Sequence, residues 1–440
     1  MFIHKNLIWV AILSTLLLSA CDKDPLNPDD QNKNNKFVCD VEWTPSTVYF
    51  DEDAVADLIH ADTSEYRYYF SKNSDLANGL NEGDIIFIHG LALRKVEYIE
   101  DQGDEIMVET GYATLNEAVD NGEIAWEYEA GFTELQAPEL LIDGKTYPYL
   151  KSGEQTFSIT LKVGEYDYKV EMKFKGDHAE VTQQIEKKID SLIKVRFECK
   201  GVIDRFTTKT KIIFENSQVT NYETINEHLK GELTLSITAI AAGTDFLNFE
   251  FPVTLLKYPF LVHGIPVVVN VKVLFVAQTA VPPEGSSLMS ARFTYDSSTG
   301  IGYMPGKGVF VLGEVGDFDI VKEQAQTGAA SAIAINFGLG FPRLELQIFG
   351  ESIIPWIHTA FLLGGDYTFY PACQQAKAMF IGACGFKLKF FGLFEAEGST
   401  TLWNEEKILL QVGDCGGQAI GFNPNLLTTD PNLTSTQLSF

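Results

Sequence analysis

Hydrophobic and polar positions alternate with a period of two along most of the chain. Ile85–His89, Leu93–Ile99, Glu105–Thr110, Phe157–Val163, Tyr166–Phe174 and Lys194–Cys199 are rich in β-branched and aromatic residues, with Gly, Asp and Asn between the runs. Thr207–Phe214, Glu232–Ile240, Phe246–Leu255 and Val267–Ala277 continue the pattern. The last third adds Ala291–Tyr295, Gly308–Leu312, Ala332–Phe337, Arg343–Phe349, Ile357–Leu363, Phe386–Phe394 and Ile408–Val412. Many short strands with turn residues between them imply antiparallel sandwiches or barrel-like sheets rather than βαβ units. The predicted fold class is mainly all-β with two short helices.

The first helix is expected at Thr114-Leu-Asn-Glu117, a capping-box sequence, and should stop near Asn121-Gly122. The second is expected over Ala179 to Leu192, where Val181, Ile185 and Ile189 share a face. The nearly uncharged reach from Phe246 to Ala280 predicts a long hairpin. One of its faces would carry Phe249, Phe251, Val253, Leu255, Val267, Val269, Val271, Val273 and Phe275. Segmentation follows composition: an acidic N-terminal β-rich unit over 37–136, then a larger β-rich region over 137–420. The Val281–Ser287 loop is a candidate internal boundary, and a polar tail covers 421–440. Gly83-Asp84 and the two runs after it resemble small barrels of the self-splicing Hint type. The N-terminal nucleophile and terminal His-Asn pair of that chemistry are absent.

The N-terminus departs from the alternating pattern. His4 and Lys5 precede an apolar run, Leu7 to Leu18, too short to span a bilayer as a helix. Leu18-Ser19-Ala20-Cys21 follows, with small residues before a cysteine at the end of the run. This resembles the lipobox of bacterial lipoproteins, and all four positions match. The resemblance implies cleavage before Cys21, a diacylglycerol and an acyl (palmitate-type) chain on that cysteine, and a membrane anchor. Asp22-Lys23-Asp24 is similar to the surface-export signal of Bacteroidota lipoproteins and implies the cell outer membrane and the cell surface. In other Gram-negative sorting an Asp after the cysteine implies inner-membrane retention, so both leaflets stay open. Residues 25–35 are polar and Pro/Asn-rich and read as a flexible tether.

Hydrophobic content of 45% supports a real core, and a net charge of −27 makes nucleic acid a poor partner. From Glu97 to Asp143 there are fourteen acids and no Lys or Arg. No calcium-loop motif accompanies them, no zinc-type Cys/His spacing occurs, and no metal or cofactor is expected. Cys39, Cys199, Cys373, Cys384 and Cys415 follow Cys21, and the local pair Cys373 and Cys384 is the expected disulfide, closing a hairpin.

The usual catalytic signatures each fail at a named position. His60, His89, His178, His228, His263 and His358 form no ligand pair, and His89, His263 and His358 read as hydrogen-bonded core residues. Gly302-x-x-x-Gly306-Lys307-Gly308 is one residue short of a phosphate loop and lacks its Ser or Thr. No Gly-x-Ser-x-Gly is present. Glu314, Asp317, Asp319, Glu395 and Glu397 are the carboxylates available to a glycosidase, but with 60 acids nearby pairs arise by chance. Aromatics make up 12% of the chain, and Tyr66, Tyr68 and Tyr69 are the candidate ligand-stacking rings. The expected function is a non-catalytic envelope lipoprotein with a binding or structural role, its partners the membrane and a carbohydrate or another envelope protein. A polysaccharide hydrolase and a carrier of an apolar ligand are the alternatives.

Overall fold

A computed structural model describes residues 35–415, apart from 133–138, 143–144, 149, 154–155, 164–165, 190–191, 241–244, 282–285, 328–333, 370–371 and 395. Cys21, the tether, Glu395 and the polar tail therefore lie outside the described residues. The chain enters on β1 (Lys36–Trp43), followed by β2 (Thr47–Phe50), β3 (Leu58–Asp62), β4 (Arg67–Ser71), β5 (Ile85–Ile88), β6 (Ala92–Asp101) and β7 (Glu105–Tyr112). It then runs through β8 (Val119–Ala130), β9 (Glu139–Ile142), β10 (Lys145–Pro148), β11 (Leu150–Gly153), β12 (Thr156–Val163), β13 (Tyr166–Phe174), β14 (His178–Ile189), β15 (Leu192–Asp204) and β16 (Phe206–Glu215). The longer strands come last. They are β17 (Gln218–Ile240), β18 (Asp245–Val262), β19 (Ile265–Val281), β20 (Ser286–Met304), β21 (Gly308–Leu312), β22 (Asp317–Thr327), β23 (Ala334–Ile348), β24 (Glu351–Phe369), β25 (Ala372–Lys387) and β26 (Glu397–Gly413).

These strands form three sheets. The twelve-stranded sheet runs β1-β8-β16-β17-β15-β14-β13-β12-β11, and β20 also pairs with β17 and carries β21 and β22. The eight-stranded sheet runs β10-β9-β18-β19-β23-β24-β25-β26, and the six-stranded sheet runs β2-β5-β6-β7-β4-β3. The mainly antiparallel all-β class is thus present, with curled sheets and, among the described residues, two short α-helices, Asp75–Asn78 and Leu115–Ala118.

The two large sheets face each other across one continuous apolar core, as in a sandwich. Rings meet across the gap: Tyr128 stacks on Phe260 at 4.3 Å, and Phe197–Phe337, Tyr222–Phe391 and Phe293–Phe361 each lie at 5.0 Å. The outer face of the twelve-stranded sheet is laced with cross-strand ion pairs. Lys211 meets Glu123, Arg205 meets Glu129, and Lys209 lies between Glu127 and Glu227. Part of the acidic run that lacks its own cations is therefore balanced by lysines and an arginine from β16 and the turn before it. No helix among the described residues is long and apolar enough to cross a membrane.

The six-stranded sheet is inserted between β1 and β8. Lys36 pairs with Glu127 and Trp43 with Val119, so β1 and β8 form the edge of the large sheet. The Thr44 amide then donates to the Ala118 carbonyl at 2.9 Å, which closes the base of the insertion. Of the expected 37–136 unit, residues 47–112 carry a sheet of their own, while its flanking strands belong to the larger one. One face of this sheet holds a separate core of Phe50, Tyr68, Phe70, Ile86, Ile88, Val96, Ile106 and Val108. The other joins the main core through Ile85, Phe87 and Leu93. Its strand order is open, with β2 and β3 at the edges, rather than the closed small barrel that Gly83-Asp84 suggested.

Several elements differ from the sequence reading. Residues 179–189 lie in β14 rather than in a helix, with Ala179, Val181, Gln183 and Ile185 buried in alternation. Val181, Ile185 and Ile189 are four apart, and four is a multiple of the strand period as well as close to the helical one. The helix after Thr114 lasts only Leu115–Ala118, with the Glu117 carboxylate reaching back to the Thr114 amide at 2.8 Å. Asn121-Gly122 is already in β8. The run Phe386–Phe394 breaks after Lys387 into a one-turn 3-10 helix, Leu388–Phe391, that sinks Leu388, Phe390 and Phe391 into the core.

Candidate functional site

A strand in a sheet sends successive side chains to opposite faces, so Tyr66, Tyr68 and Tyr69 cannot act as one cluster. Tyr68 is 1% exposed and belongs to the core of the six-stranded sheet, which removes it as a stacking ring. Tyr66 sits in the turn before β4 at a positive φ of 55°. It is exposed, and the Arg94 guanidinium lies 4.5 Å from its ring centroid. Tyr69 points to the opposite face from Tyr68 and stacks on His60, with centroids 3.9 Å apart and planes 12° from parallel.

That second face carries two adjacent rungs across four strands. One rung runs His60, Tyr69, Met107 and Glu100, and the next runs Asp62, Arg67, Glu109 and Tyr98. Two bulges set this composition. The pairing skips between Leu58 and His60, and again between Val96 and Tyr98, where it puts Tyr98 on the same side as Glu109. Tyr98 is 48% exposed, and Ile59 at the β3 bulge is 55% exposed. Tyr69 and Tyr98 stand two strands and one rung apart, about 12 Å by standard sheet spacing.

The polar groups on this face are already engaged with one another. Arg67 Nε donates to Glu109 at 3.1 Å, and Glu109 holds the guanidinium pKa above its ordinary value. Asp62 accepts from the Ser64 hydroxyl at 2.6 Å and from the Ser64 and Glu65 amides. These bonds, the hydroxyl's first, lower its carboxyl pKa. Glu100 accepts from Gln102 Nε2 at 2.8 Å.

The remaining candidates disperse. The Cys373 thiol is bonded to Cys415, not to Cys384. Cys373 and Cys384 both lie on β25, where ten intervening residues in extended form hold them about 36 Å apart. Cys384 and Cys199 are buried thiols, and desolvation pushes the Cys384 pKa up to about 12. His263 is exposed in the turn between β18 and β19 at φ 49°, so it is not a core residue. His89 Nδ1 is 3.1 Å from the Tyr49 hydroxyl. His358 is buried, but neither ring nitrogen has a hydrogen-bond partner, contrary to expectation. Asp319 receives Lys407, while Asp317 and Glu397 are exposed at the starts of β22 and β26. Between the large sheets, the space bounded by Thr208, Thr224, Asn226 and Leu344 to Leu346 has room for about one water molecule. Among the described residues no three His, Cys, Asp or Glu side chains come together in a set able to hold a metal ion.

The sequence reading found Tyr69 and missed Tyr98, His60 and the Arg67–Glu109 pair as its neighbours. Only the strand order and two bulges bring them together, and no local spacing encodes either. Compared with known proteins, the chain matches no family model, no curated protein and no solved structure.

Proposed function

We propose that the chain is a lipid-anchored, non-catalytic protein of a bacterial cell envelope that holds a binding face out from the membrane. The observation that supports it best is the two-rung face of the six-stranded sheet, where the exposed Tyr98 ring, the His60–Tyr69 stack and an Arg–Glu pair share one surface. The position of that sheet fits the reading. β1 begins just after the expected tether and runs about 26 Å before the chain enters the six-stranded sheet at Thr47. On this proposal the sheet stands at the end of β1 away from the anchor, with the anchor in the outer membrane and the sheet turned to the outside of the cell. An interior packed with rings across the sandwich gives little support to a carrier of an apolar ligand.

The anchor is tested by mass spectrometry of the mature protein and by detergent partitioning. The mature N-terminus should be an acylated Cys21, and Cys21→Ser should leave the protein in the aqueous phase. An N-terminus elsewhere without acyl mass would overturn the anchor. Incubation of the full chain with a broad panel of polysaccharides and esters should release no product. Hydrolysis lost on replacing one carboxylate, such as Glu397→Gln, would move the assignment to the hydrolase.

A further inference from the structure

We infer that the two-rung face of the six-stranded sheet binds a neutral saccharide, with Tyr98 and the stacked His60–Tyr69 pair as the platforms for sugar faces. This inference rests on the binding reading above and names its ligand class. Three observations carry it. The first is ring presentation. Tyr98 is half exposed, and His60, itself exposed, covers one face of Tyr69, so the second platform is the stacked pair, fixed before any ligand arrives. A sugar ring offers a flat C–H face to such a π-surface, and little side-chain freedom is lost on contact.

The second is the group between the rings. Arg67 commits Nε to Glu109, which leaves its terminal NH2 groups as donors beside a carboxylate acceptor. Neighbouring hydroxyls of a saccharide are both donors and acceptors and match that pair. The Tyr69 to Tyr98 separation, about 12 Å by sheet spacing, fits a short oligosaccharide rather than a single ring.

The third is charge, which selects among ligands. The rungs hold Asp62, Glu100 and Glu109 against a single cation, Arg67, and that cation is already paired. Glu97 and Glu105 add to the negative surround. An anionic glycan meets net repulsion from these carboxylates. A basic peptide is the competing occupant that this charge admits, so it is measured in parallel. The ring spacing and the donor–acceptor pair between the rings favour a neutral, hydroxyl-rich ligand over it.

The test uses the full-length lipidated protein in detergent on an array of neutral, uronate-bearing and sulfated glycans, with a fluorescent oligolysine peptide measured in parallel. At least one neutral glycan class should be retained. Tyr98→Ala and Tyr69→Ala should each weaken it by roughly tenfold, the packing of one ring. Ile408→Ala, at an equally exposed site on β26, should have no effect. Tyr98 is exposed, so its variant should melt with the parent and report binding rather than folding. No retention of any neutral glycan, or retention that both tyrosine variants leave intact, overturns the inference. Preference for uronate-bearing or sulfated glycans overturns neutrality. Oligolysine binding that falls in Tyr98→Ala while neutral glycans fail overturns the saccharide and leaves a binding protein standing. An unacylated mature chain strikes at the anchor and leaves the ligand result unaffected.

Discussion

One disulfide and one histidine set measurable properties of the eight-stranded sheet. Cys373 and Cys415 are 42 residues apart, and their Cα atoms come within 4.9 Å because β25 and β26 run antiparallel, with Cys373 opposite Gly413. In the chain-entropy description a bond closing a loop of this length stabilises by about 4 kcal/mol. Non-reducing peptide mapping should recover the Cys373–Cys415 cross-link with Cys384 as a free thiol, and Cys415→Ser should lower the unfolding free energy by up to roughly that amount. A Cys373–Cys384 peptide would refute the pairing. His358 gives a pH dependence. It sits between Arg343 and Ala383 with its ring stacked on Trp356, and burial, aided by the Arg343 charge, holds its pKa well below the ordinary value. In the unfolded chain a histidine titrates near pH 6.5. As the pH falls through that value the unfolded state takes up a proton that the folded state refuses. The stabilisation is therefore complete above about pH 6.5 and is lost progressively below it. Denaturant titrations at pH 7.5 and 5 should show a smaller acid loss in His358→Phe than in the parent. Equal losses would mean that His358 is not held neutral.

At the scale of elements, alternation was legible wherever one face of a strand is buried, and ambiguous where spacing fits two periods. The hairpin of β18 and β19 shows both. Val267, Val269, Val271 and Val273 are all in the core, as the pattern implied. On β18 the buried set near the turn is Leu256, Tyr258, Phe260 and Val262, the opposite parity to Phe251 and Val253. A register shift between Thr254 and Leu256 absorbs the change, and alternation alone cannot say where such a bulge falls. The same limit hid the candidate face, whose composition depends on two bulges and on β4 lying beside β7. One close approach gives this scale its prediction. Gly122 on β8 has φ +125°, and a Cβ there would stand 2.1 Å from the Asp40 carbonyl oxygen on β1. Gly122→Ala should cost roughly 1–3 kcal/mol through backbone strain. Limited proteolysis should then cut β1 faster than in the parent, and an unchanged cleavage rate would show that the edge tolerates the shift.

Across the whole molecule, the sequence spoke clearly about class and poorly about assembly. Sheet content follows from local patterning, whereas the order of strands follows from pairings as distant as Lys36 with Glu127. The insertion of the six-stranded sheet between β1 and β8 has a mechanical meaning as well. Its entry at Thr44–Thr47 and its exit at Glu117–Ala118 are joined by the Thr44 amide and the Thr44 and Thr47 hydroxyls, which donate to the Ala118 and Glu117 carbonyls, and its entry is also the end of the first strand. If the chain is held upstream of Lys36 while something grips the exposed Tyr98 end of the six-stranded sheet, tension passes along the covalent backbone of β1. The large sandwich hangs to one side of that line and carries little of the load. The pairing of β1 with β8 and the packing of Ile85, Phe87 and Leu93 against the main core are the joints between them. A pull loads those joints first, so the six-stranded sheet and its tether form one cable with the heavy body slung from it.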